Sequence, residues 1–275
     1  MRFEKWQTLG NDYLIVERGN LPVPLTPENV RRLCDPHFGP GGDGVLELSP
    51  GEPGFVARLR IFNPDGSEAE LSGNGAREAI LYLRRNGWTD ADTFSIQTAA
   101  GEIRPTITGP TTCRVDMGRA SLTSKDYPSG PPDGTGEVAG YAFQHVSIGN
   151  PQCAIRIADR DTLEALDLAA LGPQIERASL FPNRTNASFW CELAPDAIRA
   201  RIFERGVGET LSSGPGACGA AVAHVLRGGG SPVTVHLDGG ELEVDVDESL
   251  HVDLTGWAVP VYTGELSPEL VAELR

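Results

Sequence analysis

Short strand-like runs, most of them alternating apolar and polar residues, recur along the whole chain. They fall at 12–16, 57–62 and 93–97 in the first half, and at 154–157, 198–203, 233–237 and 242–246 in the second. Alternation sends successive side chains to opposite faces, so these runs predict mostly antiparallel strands with one wet face. Four helices carry start signals. Thr26-Pro27-Glu28 and Ser267-Pro268-Glu269 each supply an N-cap, a proline at the first helical position and an early acid. The other two helices begin at glycine-rich turns, near Gly73-Asn74-Gly75 and Gly214-Pro215-Gly216. The 33 glycines and 21 prolines are spread along the chain and mark many turns rather than one linker. A stretch rich in Ser, Pro and Gly at 121–140 is the expected passage between halves.

The pattern also repeats. Residues 60–79 read RIFNPDGSEAELSGNGAREA and residues 201–220 read RIFERGVGETLSSGPGACGA, with nine of twenty positions identical at an offset of 141. A second echo, Leu9-Gly10-Asn11 against Ile148-Gly149-Asn150, lies at an offset of 139. Two matched landmarks in one order predict two copies of a single α+β unit. The expected division is 1–117, with 262–275 packing back on it, and 118–261 as the second copy. Two such units facing each other would form a cleft of approximate two-fold symmetry.

Composition narrows the function. The chain has 275 residues, which at ~150 residues per domain gives about 1.8 and favours two domains. It carries 23 basic and 38 acidic residues, a net charge of −15, which argues against nucleic acid or an anionic membrane as partner. The N-terminus has no apolar core of a signal peptide, and no apolar run is long enough to span a bilayer. Five cysteines, an odd number without a C-x-x-C pair, predict free thiols in a reducing compartment, and the expected location is cytoplasmic.

In each repeat a strand leads into a turn, and Ser-Gly-x-Gly then opens a helix. Unpaired N–H groups and the positive dipole end make such a start an anion site, and glycine lets a ligand approach the backbone. Two copies could hold one carboxylate, with Ser72 and Ser213 on opposite sides of the neighbouring carbon. A racemase needs that arrangement: one group removes a proton while another supplies one to the other face. Taken singly, each serine is an ordinary N-cap. A pyridoxal enzyme needs a well-placed lysine, and only Lys5 and Lys125 exist. Gly39-Pro40-Gly41-Gly42-Asp43-Gly44 is followed by Val45, so it is no phosphate-binding loop. No group of ligands has metal spacing.

Several stretches resemble the diaminopimelate epimerase family. They are Leu9-Gly10-Asn11-Asp12-Tyr13, Gly41-Gly42-Asp43-Gly44, Phe62-Asn63-Pro64-Asp65-Gly66-Ser67, Ser72-Gly73-Asn74-Gly75-Ala76-Arg77, Gly149-Asn150-Pro151, Phe181-Pro182-Asn183-Arg184-Thr185-Asn186 and Glu204-Arg205-Gly206-Val207-Gly208-Glu209-Thr210. They occur in family order over nearly the whole chain. The resemblance implies two pseudo-symmetric lobes, each a mixed sheet around a central helix, with the active site in the cleft. It also implies cofactor-independent epimerisation between LL- and meso-diaminopimelate, on the route to lysine and the bacterial cell wall. The family's catalytic positions fall on Ser72 and Ser213. Its substrate-binding positions fall on Asn11, Asn63, Gly73, Asn74, Asn150, Asn186, Glu204, Arg205 and Gly214. Arg205 suits a distal carboxylate and Glu204 an ammonium. The expected partners are a small amino acid and a second copy of the chain in a homodimer, with no cofactor and no metal.

The chain departs from the family at the chemistry. Family members that epimerise carry cysteine where Ser72 and Ser213 stand. An alcohol is a far weaker acid than a thiol, whose pKa is about 8.5. The expectation is therefore an impaired or altered epimerase. Two alternatives are a same-fold racemase or isomerase acting on another carboxylate, and a non-catalytic amino-acid binder. Pro215 stands where the family has Thr or Ser, Gln152 where histidine is common, and Glu78 follows Arg77.

Overall fold

A computed structural model describes residues 1–70 and 72–275. In chain order the first unit holds β1 (Arg2–Thr8), β2 (Asn11–Glu17), α1 (Pro27–Cys34), β3 (Val45–Pro50), β4 (Ala57–Phe62), β5 (Glu68–Ala69), α2 (Gly73–Arg85), β6 (Ile96–Thr98) and β7 (Gly101–Ile103). A hairpin of β8 (Pro105–Gly109) and β9 (Thr112–Arg119) follows. The second unit holds β10 (Thr135–Val138), β11 (Tyr141–Ser147), β12 (Pro151–Arg156), α3 (Arg160–Glu164), α4 (Leu168–Glu176), β13 (Asn186–Ala194), β14 (Ala197–Glu204) and β15 (Gly208–Thr210). It continues with α5 (Gly214–Leu226), β16 (Val233–Leu237), β17 (Gly240–Val246) and β18 (His251–Trp257). The chain then returns to the first unit with β19 (Val259–Glu265) and α6 (Pro268–Glu273).

The two units are built by one recipe. In the first, β1 and β2 are antiparallel, β2 and β3 parallel, β3 and β4 antiparallel, and β4 pairs parallel with β6 and antiparallel with β5. In the second, β11, β12, β13, β14, β16 and β15 repeat those relations one for one. Even the register repeats: Phe62 faces Glu68, and Phe203 faces Glu209. The repeated residues account for this. Arg60 forks onto Glu68 at 2.8 and 2.7 Å, and Arg201 reaches Glu209 at 3.0 and 2.6 Å, so each pair closes its own short hairpin.

Each sheet carries a 13-residue helix, α2 or α5, most of whose length is buried. Glycine makes the close approach possible. A Cβ on Gly75 would come within 3.0 Å of Leu46, and one on Gly216 within 2.9 Å of Ile202. Thr26 and Ser267 cap α1 and α6 through the N–H groups of Asn29 and Leu270, as the start signals predicted.

The units divide at Val115 and at Gly256. The returning segment begins at Trp257 rather than at 262, and β19 pairs with β1 from Arg2 to Gln7. The 121–140 stretch is not the passage between halves. It lies within the second unit, where Ser121 bridges Ser147 and the Tyr127 ring meets Phe143 and Phe181 at 5.4 and 5.6 Å. Proline and glycine there shape turns over a packed surface instead of a linker.

Candidate active site

Ser72 and Ser213 are the N-caps of α2 and α5. Both are extended, with φ, ψ of −132°, 122° and −147°, 120°. Each Oγ accepts the N–H three residues on, from Gly75 at 3.1 Å and from Gly216 at 3.2 Å. The backbone N–H groups of Gly73 and Asn74 precede the capped one in α2. In α5 the equivalent of Asn74 is Pro215, so that helix opens with one donor fewer.

Around α2 the first unit supplies two further layers. The Tyr13 hydroxyl, from β2, donates to Ser72 Oγ at 3.2 Å. Arg77 is fully buried and its guanidinium donates to Asn74 Oδ1 at 2.6 Å, fixing that side chain. Glu78 beside it is also fully buried. Burial drives its pKa well above the usual carboxylate range. The Arg77 charge and the Tyr13 backbone N–H oppose that rise, and Asp12 and Asp43 add to it.

Asn11 opens β2 and donates to Asp43 at 2.8 Å. The turn before it is Leu9-Gly10, with φ of 53° and 82°. A leucine held in the left-handed region, with no exposed surface, is a strained position that the surrounding fold must enforce. Asn63 sits in the turn after β4, where its amide donates to Ser67 at 2.9 Å.

Around α5 the second unit gathers a different set. Glu204, at the end of β14, accepts from Thr210 Oγ1 at 3.1 Å, and the Ser213 hydroxyl lies near enough to lower its pKa. Burial raises its pKa, and those two hydroxyls pull it back. Asn186 is buried and accepts the Arg205 backbone N–H at 2.7 Å, which ties the start of β13 to the end of β14. Arg205 is exposed, and its guanidinium donates to the Asn183 carbonyl at 2.9 Å. Asn150 accepts from Gln152 at 2.6 Å. Gln152 is fully buried against Gly219 of α5, where an added Cβ would come within 2.7 Å of it.

The structure thus ties Arg205 to Asn186 and Glu204 to Thr210, contacts that the sequence did not announce. Tyr13, Arg77 and Thr210 were quoted within motifs but given no role by sequence reasoning. All five cysteines are buried and outside any disulfide, and burial pushes Cys34 and Cys113 up to about 12. Lys5 is held by Asp12 at 3.1 Å and by the Gly41 carbonyl at 3.0 Å. Asp116, His251 and Asp253 bring ligand atoms within 4.8 Å of one another, a grouping that linear spacing did not announce. Among the described residues no helix is long and apolar enough to cross a membrane.

Solved structures define the class first. A hydroxyproline epimerase from Agrobacterium vitis matches with a TM-score of 0.66 at 15% identity, covering 98% of this chain and 94% of that one. A phenazine biosynthesis protein of the PhzF family from Bacillus anthracis matches with a TM-score of 0.68 at 18% identity, covering 97% and 99%. At those identities the likeness is one of fold: two sheet-rich, mixed α+β lobes. Sequence relatives go further. The diaminopimelate epimerase model matches residues 3–123 and 144–267. The diaminopimelate epimerases of Synechococcus sp. (strain JA-3-3Ab) and Pelotomaculum thermopropionicum are 41% and 40% identical. Both alignments cover 96% of this chain, with 97% and 98% of the relatives. The chain belongs to the diaminopimelate epimerase family, and its class is that of the isomerases.

Proposed function

We propose that this chain epimerises LL-diaminopimelate to meso-diaminopimelate without a cofactor, through Ser72 and Ser213. The carrying observation is the equivalence of the two caps: same backbone conformation, same hydrogen bond to the third residue on, same place at the head of a buried helix. An amino acid's α-carboxylate at those helix starts meets N–H donors and the positive dipole ends, which stabilise the enolate-like charge that forms when the α-proton leaves. One serine takes that proton, and the other supplies one to the opposite face.

Serine needs help that a thiol does not, and the Glu204 carboxyl against Ser213 is the help available there. Arg205 suits the distal carboxylate as a fork of donors. Asn11, Asn63, Asn74, Asn150 and Asn186 complete the reading as groups that orient carboxylate and ammonium, with Gly73 and Gly214 contributing backbone. Glu204 then has two neighbours to serve, Ser213 and the substrate ammonium. The reading places the protein in the cytoplasm, in lysine and cell-wall precursor synthesis, as a homodimer that sedimentation equilibrium would detect.

Proton NMR of LL-diaminopimelate with the protein in heavy water tests the proposal. The expected result is loss of the α-proton signal with appearance of the meso isomer. An α-proton that persists at high enzyme concentration overturns it.

A further inference from the structure

Ser72 and Ser213 cap equivalent helices, yet their hydroxyls are tied differently. A serine Oγ has two lone pairs and one hydrogen. At Ser72 the Gly75 N–H and the Tyr13 hydroxyl take both lone pairs, at 3.1 and 3.2 Å, and leave the hydrogen to give away. At Ser213 the Gly216 N–H takes one lone pair at 3.2 Å and no phenol stands at the equivalent place, which leaves a lone pair to receive a proton.

Resting on the epimerase reading, we propose that Tyr13 is a positioning residue that holds Ser72 as the proton donor of the pair, with Ser213 as the acceptor. Tyr13 is placed for this by the fold. It pairs with Trp6 of β1, is 6% exposed, and lies against Gly44. A Cβ on Gly44 would come within 2.5 Å of the Tyr13 ring, so the last glycine of Gly41-Gly42-Asp43-Gly44 is what gives the ring its place. The equivalent position in the second unit, from the shared strand register, is Gln152. Its amide turns to Asn150 instead. The second unit therefore draws the partner of its serine from β14, as Glu204, while the first draws its own from β2.

The proton balance follows. The Cα–H bond breaks as Ser213 Oγ takes the proton and passes its own to the Glu204 carboxylate. On the other face a new Cα–H bond forms from the Ser72 hydroxyl proton. The Ser72 oxygen then takes the Tyr13 phenolic proton. Solvent reprotonates the phenolate and accepts the proton from Glu204.

A double-mutant cycle on α-proton exchange with LL-diaminopimelate tests this. Tyr13→Phe deletes one hydroxyl and keeps the ring. The expected loss in kcat is on the order of 10²-fold, as for a general acid–base group, with KM within about two-fold. Made in the Ser72→Cys background, the same change is expected to cost under about three-fold, because a thiol supplies its proton without a phenol behind it. A purely structural tyrosine would cost the same in both backgrounds. Equal losses in the two backgrounds, or an unchanged kcat in Tyr13→Phe, overturn the inference and leave the epimerase reading standing. Absence of exchange in the unmodified protein overturns both.

Discussion

Glu204 takes a 3.1 Å hydrogen bond from Thr210 across the β14–β15 hairpin, and the Ser213 side chain favours the charged form of the same carboxyl. The hairpin that begins with the repeat's Arg201–Glu209 pair thus ends by aiming an acid at the cap of the following helix. Burial raises the Glu204 pKa, so its base form prevails only at a pH above the ordinary carboxylate range of about 4.3. The acid limb of kcat/KM for epimerisation should therefore lie above that value. Glu204→Gln should remove the limb and lower kcat by roughly 10²–10⁴-fold. A pH–rate profile of both proteins decides it, and an unshifted limb in the variant would take Glu204 out of proton transfer.

Restoring sulfur at the caps is a separate matter. Thiols ionise readily at helix N-termini, whereas alcohols are far weaker acids. Ser72→Cys or Ser213→Cys alone should give small gains, because the opposite face keeps its alcohol. The double change should raise kcat/KM by more than the product of the single gains, as residues acting as a unit do. Kinetics of the four proteins on LL-diaminopimelate measure this. Additive gains would mean that the two positions act independently.

Arg205 is exposed and donates to the Asn183 carbonyl, which leaves most of its fork of donors for a ligand. Arg205→Ala should weaken diaminopimelate binding by roughly 1.5–3 kcal/mol, the range for charged hydrogen bonds. Calorimetric titration gives the number, and an unchanged dissociation constant removes Arg205 from the site.

Glu78 bears on stability. Its folded pKa is raised by burial, so between the unfolded value of about 4.3 and the raised one the folded chain keeps a proton that the unfolded chain has released. Stability consequently falls as pH rises through that window. Glu78→Gln cannot ionise and should be more stable than the parent by roughly 1–3 kcal/mol at neutral pH, with the gap closing toward pH of about 4. Thermal melts across pH report it. A gap that widens on acidification would reverse the assignment.

How much of this was legible beforehand varies with the kind of strand. The runs at 57–62 and 233–237 coincide with β4 and β16, where largely one-sided burial writes alternation into sequence, and those at 12–16 and 198–203 lie inside β2 and β14, which are buried on both faces but rich in β-formers. β3 and β13 left no such trace. Val45 through Glu47 and Asn186 through Cys191 are buried at every position, and a strand covered on both faces has no polar face to alternate with. α3 and α4 were likewise unannounced, although Asp159 and Asp167 cap them at 2.8 and 3.0 Å.

The repeat at an offset of 141 determined the duplicated unit, the two caps and the hairpin-closing pairs, since each rests on contacts within a few residues of chain. Local physics of that kind survives in sequence. Which hydroxyl faces which acid was decided only in three dimensions. Tyr13 meets Ser72 across 59 residues, and Arg77 finds Thr8 across 69. Glu204 could be read as an ammonium ligand from its motif, but its contact with Ser213 depends on how β14, β15 and α5 fold together. Hydrogen bonds between distant elements depend on sheet register and helix placement, and those follow from the packing of the whole unit rather than from any stretch of chain.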